Sequence, residues 1–295
     1  MKLENKILKL SVIGALFFAL FGIAWGWAIK SDMIIFDGLY SFISLALTML
    51  SLYINNFIAK KELDKYPFGK YILEPLVISF KSLIIGGMCL YSLIGAIQDV
   101  VHGGNTVEYG SALIYSIVSV IGCGGVYIFM KKKGDKISSE LIKVEASQWL
   151  MDTLLSIGVL VGFVIAMILR NTRFSGLNVY IDPMMVIMVS VVFIKMPVQS
   201  FINAFKEILC VKADDEINDD IYLIVKEIEK EYKFEDSISR VSKIGGELRI
   251  EIDFIYNEES KLKDLDQMDC VREKVYDAIK HIDYNKWLNV SFTGD

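Results

Sequence analysis

The chain has 295 residues, 54% of them hydrophobic and 23% charged, with only 4 prolines. Disorder is excluded, because it requires low hydrophobicity and high net charge. The net charge of −5 hides two unlike parts: residues 1–206 carry 18 Lys and Arg against 13 Asp and Glu, whereas residues 207–295 carry 13 against 23. The four cysteines (Cys89, Cys123, Cys210, Cys270) form no CxxC pair, which argues against a disulfide scaffold and against a zinc ribbon.

A bilayer core of about 30 Å needs roughly 20 mostly apolar helical residues. Six stretches reach that length, at 8–29, 33–58, 72–100, 107–130, 141–169 and 180–205. The first follows Lys2, Lys6 and Lys9 but is too long for the apolar region of a secretory signal, so it is read as a retained span. Gly86, Gly87 and Gly122 are expected where helices approach closely in lipid. The N-terminus and the second and fourth connections hold 12 Lys, against Lys30, Arg170 and Arg173 on the other side. That asymmetry predicts a multi-pass protein of the plasma (inner) membrane with both termini cytoplasmic.

From Asp214 the pattern changes. Ile217, Ile221, Ile224, Val225 and Ile228 recur at helical spacing within 215–232. Residues 237–244 and 247–256 alternate around Gly245-Gly246, which predicts a hairpin. A second helix over about 264–281 and a strand over 287–292 follow. The predicted fold class is an α-helical membrane protein with six transmembrane helices plus a small cytoplasmic α+β domain in the metallochaperone-like order α-β-β-α-β. The expected division is 1–206 for cation transport and 207–295 for dimerisation and regulation.

Charges inside spans cost roughly 2.5–3.5 kcal/mol each on insertion scales, so they point to function. Span two offers Asp37 and, four residues on, Ser41; span five offers Gln148 and Asp152 at the same spacing, with Glu145 three residues earlier. Residues three and four apart share a helix face. If the two faces meet, two carboxylates, an amide oxygen and a hydroxyl make an oxygen cage suited to a hard or borderline divalent cation. Counted from the span ends, Asp37 lies nearer the outer end and Asp152 nearer the inner one. Lys81 in span three and Lys195 in span six are buried ammonium candidates. Lys81 either pairs with Asp37 or Asp152, opposing a cation, or faces a dimer interface or a wet cavity. Asp182, beside Pro183, is read as the N-cap of span six. His102 and His281 are read as structural or exposed.

The segments SDMIIFDGLYSFISLAL, YPFGKYILEPL, EASQWLMDTLLSIGVL and YIDP, together with six spans and an α-β-β-α-β tail, resemble the cation diffusion facilitator family over nearly the whole length. The resemblance implies a homodimer that exports divalent metal in exchange for protons, with the ion between spans two and five. By position Asp37 and Asp152 match acidic ligands, while Ser41 and Gln148 stand where the family usually has Asp and His or Asp. Tyr66 and Lys70 stand where some members carry metal-binding His. In the tail, Asp253, Asp269 and Ser291 fall where metal-binding His often occurs, so any tail metal would be oxygen-bound.

The expected metal site is therefore Asp37, Ser41, Gln148 and Asp152, with Glu145 and Lys81 accessory and Asp253 and Asp269 as tail metal candidates. Oxygen donors favour Mn²⁺, Fe²⁺ or Mg²⁺ over Zn²⁺, which prefers His and thiolate. The cation is cargo; no cofactor is expected, and the partners are the cation, protons, the lipid bilayer and a second copy, with no nucleic acid. No P-loop, nucleotide-binding glycine pattern or nucleophile elbow argues for an enzyme. The competing readings are a degenerate member acting as a scaffold or heterodimer partner, and a channel.

Overall fold

The structure, a computed structural model, describes the backbone of residues 2–294 apart from positions 59, 61, 63, 138, 139, 171, 174 and 263. Side chains at 2–8, 51, 52, 55, 134–137, 140–145, 147 and 148 also lie outside the described residues.

Among the described residues, six helical segments are long and apolar enough to cross a membrane. Five lie within α1 (Lys2–Ile29), α2 (Asp32–Ile58), α3 (Leu73–Val101), α4 (Tyr109–Ile137) and α5 (Glu140–Arg170). The sixth, Ser175–Ile208, is composite: a 3-10 helix at Ser175–Tyr180 leads into α6 (Ile181–Phe193), and α7 (Lys195–Ile208) continues after a break at Ile194. Pro197 explains the break. It has no N–H to offer the Phe193 carbonyl, and its ring crowds that carbonyl, so the ladder is interrupted one turn before the proline. Lys195 consequently starts a new helix and lies on the outside of it, exposed rather than buried.

The chain divides into two compact units, Met1–Leu50 with Lys81–Val198, and Ser51–Phe80 with Gln199–Asp295. In the first unit Met33, Ile34, Phe36, Tyr115 and Phe163 form a buried core. Helices α1 and α2 meet backbone to backbone there: a Cβ on Gly38 would lie 2.6 Å from the Ile23 nitrogen and 2.9 Å from the Ala19 carbonyl oxygen. Small residues permit such contact in lipid, where packing rather than hydrophobicity joins helices. Of the glycines singled out in the sequence, Gly122 seats the Phe18 ring, Gly86 makes ordinary contact with Pro197, and Gly87 faces open space.

In the second unit α8 (Asp215–Tyr232), β1 (Asp236–Ile244), β2 (Glu247–Tyr256), α9 (Leu265–Ala278) and β3 (Asn285–Gly294) follow the predicted α-β-β-α-β order. Antiparallel β1 and β2 form the hairpin, and β3 pairs in parallel with β2. The inward residues Ile250, Ile252 and Phe254 pack on Ile221 and Val225 of α8 and on Val271 and Val275 of α9. The strand alternation and the 3.6-residue helical period thus supply the two faces of one core.

Candidate functional site

A cavity of about 220 Å³ opens within the first unit. α2 contributes Asp37 and Ser41, and α5 contributes Asp152 and Ser156. Each pair is four residues apart, the spacing that stacks side chains on one helix face. The two acids line the same cavity despite their unequal distance from the helix ends. Asp37 is buried and Asp152 half-buried. The side chains of Gln148 and Glu145 lie outside the described residues.

The third wall comes from α4, with Tyr115, Ser119 and Cys123 on the cavity. Tyr115 Oη donates a 3.0 Å hydrogen bond to Asp37 Oδ2. None of these three residues was singled out for the site from the sequence, although their spacing of four makes a polar ladder of the same kind as Asp37 and Ser41. Hydroxyls and thiols on an apolar helix bond its own backbone as readily, as Ser116 Oγ does by donating to the Ala112 carbonyl at 2.9 Å. Only the partner helix distinguishes the two cases. α1 closes another side through Phe18, whose ring meets Trp149 edge-on at 6.2 Å. Trp149 Nε1 in turn donates to Ser11 Oγ at 2.6 Å, fixing the indole.

Lys81 is half-buried, does not line this cavity and forms no ion pair within 4.0 Å among the described residues. It therefore does not neutralise Asp37 or Asp152. Among the described residues no group of three His, Cys, Asp or Glu side chains is arranged to hold a metal.

Asp182 has a role different from the expected one. It makes no capping bond to its own helix, whose N-cap position is Tyr180. Instead the fully buried carboxylate receives Ser31 Oγ at 2.5 Å, the Asp32 amide at 2.8 Å and the Met33 amide at 3.4 Å. These are the orphan donors at the start of α2, the helix that carries Asp37.

In the tail, Asp253 and Ser291 face each other across β2 and β3, and Ser291 Oγ donates to Asp253 Oδ1. Arg240 Nη1 pairs with Asp253 Oδ2 at 2.6 Å. The Ser291 hydroxyl first, and Arg240 after it, hold the Asp253 carboxyl below its usual range. Asp269 pairs with Arg272 at 2.6 Å. Each acid thus has its own guanidinium, and a cation there would have to displace it. His102 and His281 hydrogen-bond the helix carbonyls of Gln98 and Ala278.

Residues 8–209 match the family model described as the cation efflux transmembrane domain. The chain belongs to the cation diffusion facilitator family. It is also similar to the magnetosome protein MamB of Magnetospira sp. (strain QH-2), with 21% identity over 253 residues that cover 85% of this chain and 83% of the relative. This cation diffusion facilitator is thus a multi-pass membrane protein for metal cation efflux.

Proposed function

We propose that this transporter expels a divalent cation by proton antiport, and that the cavity between α2, α4 and α5 is where the ion rides. The carrying observation is that Asp37, Ser41 and Asp152 line one cavity among the membrane-spanning helices. Gln148, one turn before Asp152 on α5, is the fourth donor of this reading, with Glu145 accessory. Two carboxylates with hydroxyl and amide oxygens suit a hard or borderline ion, Mn²⁺, Fe²⁺ or Mg²⁺ ahead of Zn²⁺. Protons arriving from the far side compete for the same carboxylates, and alternating access around the site converts proton entry into cation exit. The reading sets both termini in the cytoplasm of a plasma-membrane protein, in keeping with the Lys-rich connections. The acidic tail joins two copies.

The test is cation uptake into proteoliposomes under an imposed pH gradient, comparing Mn²⁺, Fe²⁺, Zn²⁺ and Mg²⁺ with an Asp152→Ala control. Gradient-driven flux of one ion that the substitution abolishes supports the antiporter and names its cargo. Flux that persists in the folded Asp152→Ala protein overturns the site. Cation flux with no proton movement in the opposite direction overturns the antiport.

A further inference from the structure

The most enclosed ammonium among the described ion pairs belongs to Lys70, in the connection between α2 and α3, where its side chain is 3% exposed. An ammonium has three N–H donors. Here Nζ lies 3.0 Å from Glu62 Oε2, 3.1 Å from the Lys60 carbonyl oxygen and 3.4 Å from that of Phe57, so all three donors have acceptors. Phe57 lies in the last turn of α2 and Lys60 just beyond its end at Ile58, where a positive charge is favoured by the negative end of the helix. Two aromatic faces complete the enclosure. Nζ is 4.0 Å from the Phe57 ring centre and 4.7 Å from that of Tyr66, and the two rings stand edge to face at 84°. Ring faces of this kind attract organic cations.

The same shell is poor for a divalent metal. Among the described residues it offers one carboxylate and two carbonyls at distances of 3.0–3.4 Å, with no His or Cys. Calcium takes 6–8 oxygens within about 2.6 Å, and zinc about four nearer donors that include nitrogen or sulfur. We propose that this connection contains a primary-ammonium site occupied by the chain's own Lys70, and that it stays closed whether or not metal is present. A protein that handles divalent cations thereby keeps the end of α2 tied to the start of α3 without recruiting an ion from its cargo. The inference does not depend on where the cargo binds.

The experiment is amide hydrogen exchange over residues 64–70 of the full-length protein in detergent micelles. In the wild type, exchange is expected to be the same in EDTA and in millimolar Mn²⁺ or Zn²⁺; protection that needs the metal overturns the proposal. In Lys70→Ala, exchange rises about ten-fold, and n-propylammonium, which replaces the missing Cγ-to-Nζ atoms, restores protection, whereas Mn²⁺ and tetramethylammonium do not. Restoration by Mn²⁺ instead would make the cage a metal site and overturn the assignment. Should Lys70→Ala fail to fold, Tyr66→Leu removes one ring and leaves the ion pair; it is expected to raise exchange about two- to five-fold, and an unchanged rate contradicts the cage.

Discussion

The phenol of Tyr115 on α4 reaches across to α2 and donates a 3.0 Å hydrogen bond to Oδ2 of the buried Asp37. That bond leaves Oδ1 with no hydrogen bond from the described residues. Tyr115 therefore orients the carboxylate while one oxygen stays available to the cavity. A buried hydrogen bond contributes about 0.5–1.5 kcal/mol, equivalent to a change of roughly two- to ten-fold. Tyr115→Phe is expected to raise the KM for the transported cation within that range and to leave kcat close to wild type. Initial uptake rates as a function of cation concentration check this, and an unchanged KM would show that Tyr115 does not position Asp37.

Asp182 ties the first turn of α2 to α6 through three donors. Asp182→Ala orphans the Asp32 and Met33 amides and the Ser31 hydroxyl in a buried setting. The expected loss is about 2–3 kcal/mol, with Asp182→Asn, which keeps one acceptor oxygen, losing about half of that. Thermal unfolding of the detergent-solubilised protein, followed by tryptophan fluorescence, separates the variants. Equal melting temperatures for wild type and Asp182→Ala would contradict the capping role.

Gly245 turns the tail hairpin at φ +57°, and a Cβ there would lie 2.6 Å from Glu74 Oε2 and 2.9 Å from the Tyr71 carbonyl oxygen. The neighbouring Gly246 has room, with its nearest atom at 3.7 Å. Gly245→Ala adds left-handed strain of about 1 kcal/mol to a backbone clash, so a total of about 2 kcal/mol is expected, against a few tenths for Gly246→Ala. Denaturant melts of the two variants measure the contrast. Equal losses would mean that the approach to Tyr71 and Glu74 is not tight in solution.

The imidazole of His281 bridges α8 and the end of α9, with Nε2 2.7 Å from Asp220 Oδ2 and Nδ1 2.9 Å from the Ala278 carbonyl oxygen. Both ring nitrogens face acceptors, so the protonated form fits best. Asp220, with the Ala278 carbonyl second, raises the pKa above 6.5. A raised folded pKa contributes stability that is fully present below the unfolded value and is lost as pH rises through the folded one. The chain has only 2 histidines, so ¹H NMR resolves them. Asp220→Asn is expected to move the His281 titration down toward 6.5 and to reduce tail stability on the acidic side while changing little at pH 9. A titration that does not move would contradict the bridge.

The architecture is largely written in hydropathy. Six apolar lengths and the Gly245-Gly246 hairpin are local signals; five of the lengths each became one helix and the hairpin formed, whereas the sixth became α6 and α7. The break at Ile194 was missed because Pro197 lies inside a run that stays apolar on both sides, so length alone reads it as one span. The acids Asp37 and Asp152 stood out because a carboxylate in a span is costly. Tyr115, Ser119 and Cys123 did not, because such groups are cheap on a buried helix and gain meaning only from the neighbouring helix. Asp182 misled for a related reason: Pro183 beside it suggests a local cap, yet its donors lie about 150 residues away. Lys70 had a legible charge but not its two rings, which only folding brings around it.

The central claim, that the cavity lined by Asp37 and Asp152 holds the cargo, is tested most directly by stoichiometric binding. Equilibrium binding of Mn²⁺ to the purified full-length protein is to be compared with Asp37→Asn and Asp152→Asn, two substitutions that keep side-chain volume and remove charge. The account predicts about one ion per protomer in the wild type and a loss of affinity of at least ten-fold in each variant, since each removes one of two charged ligands. Wild-type affinity retained in both folded variants would place the cation elsewhere and contradict the account.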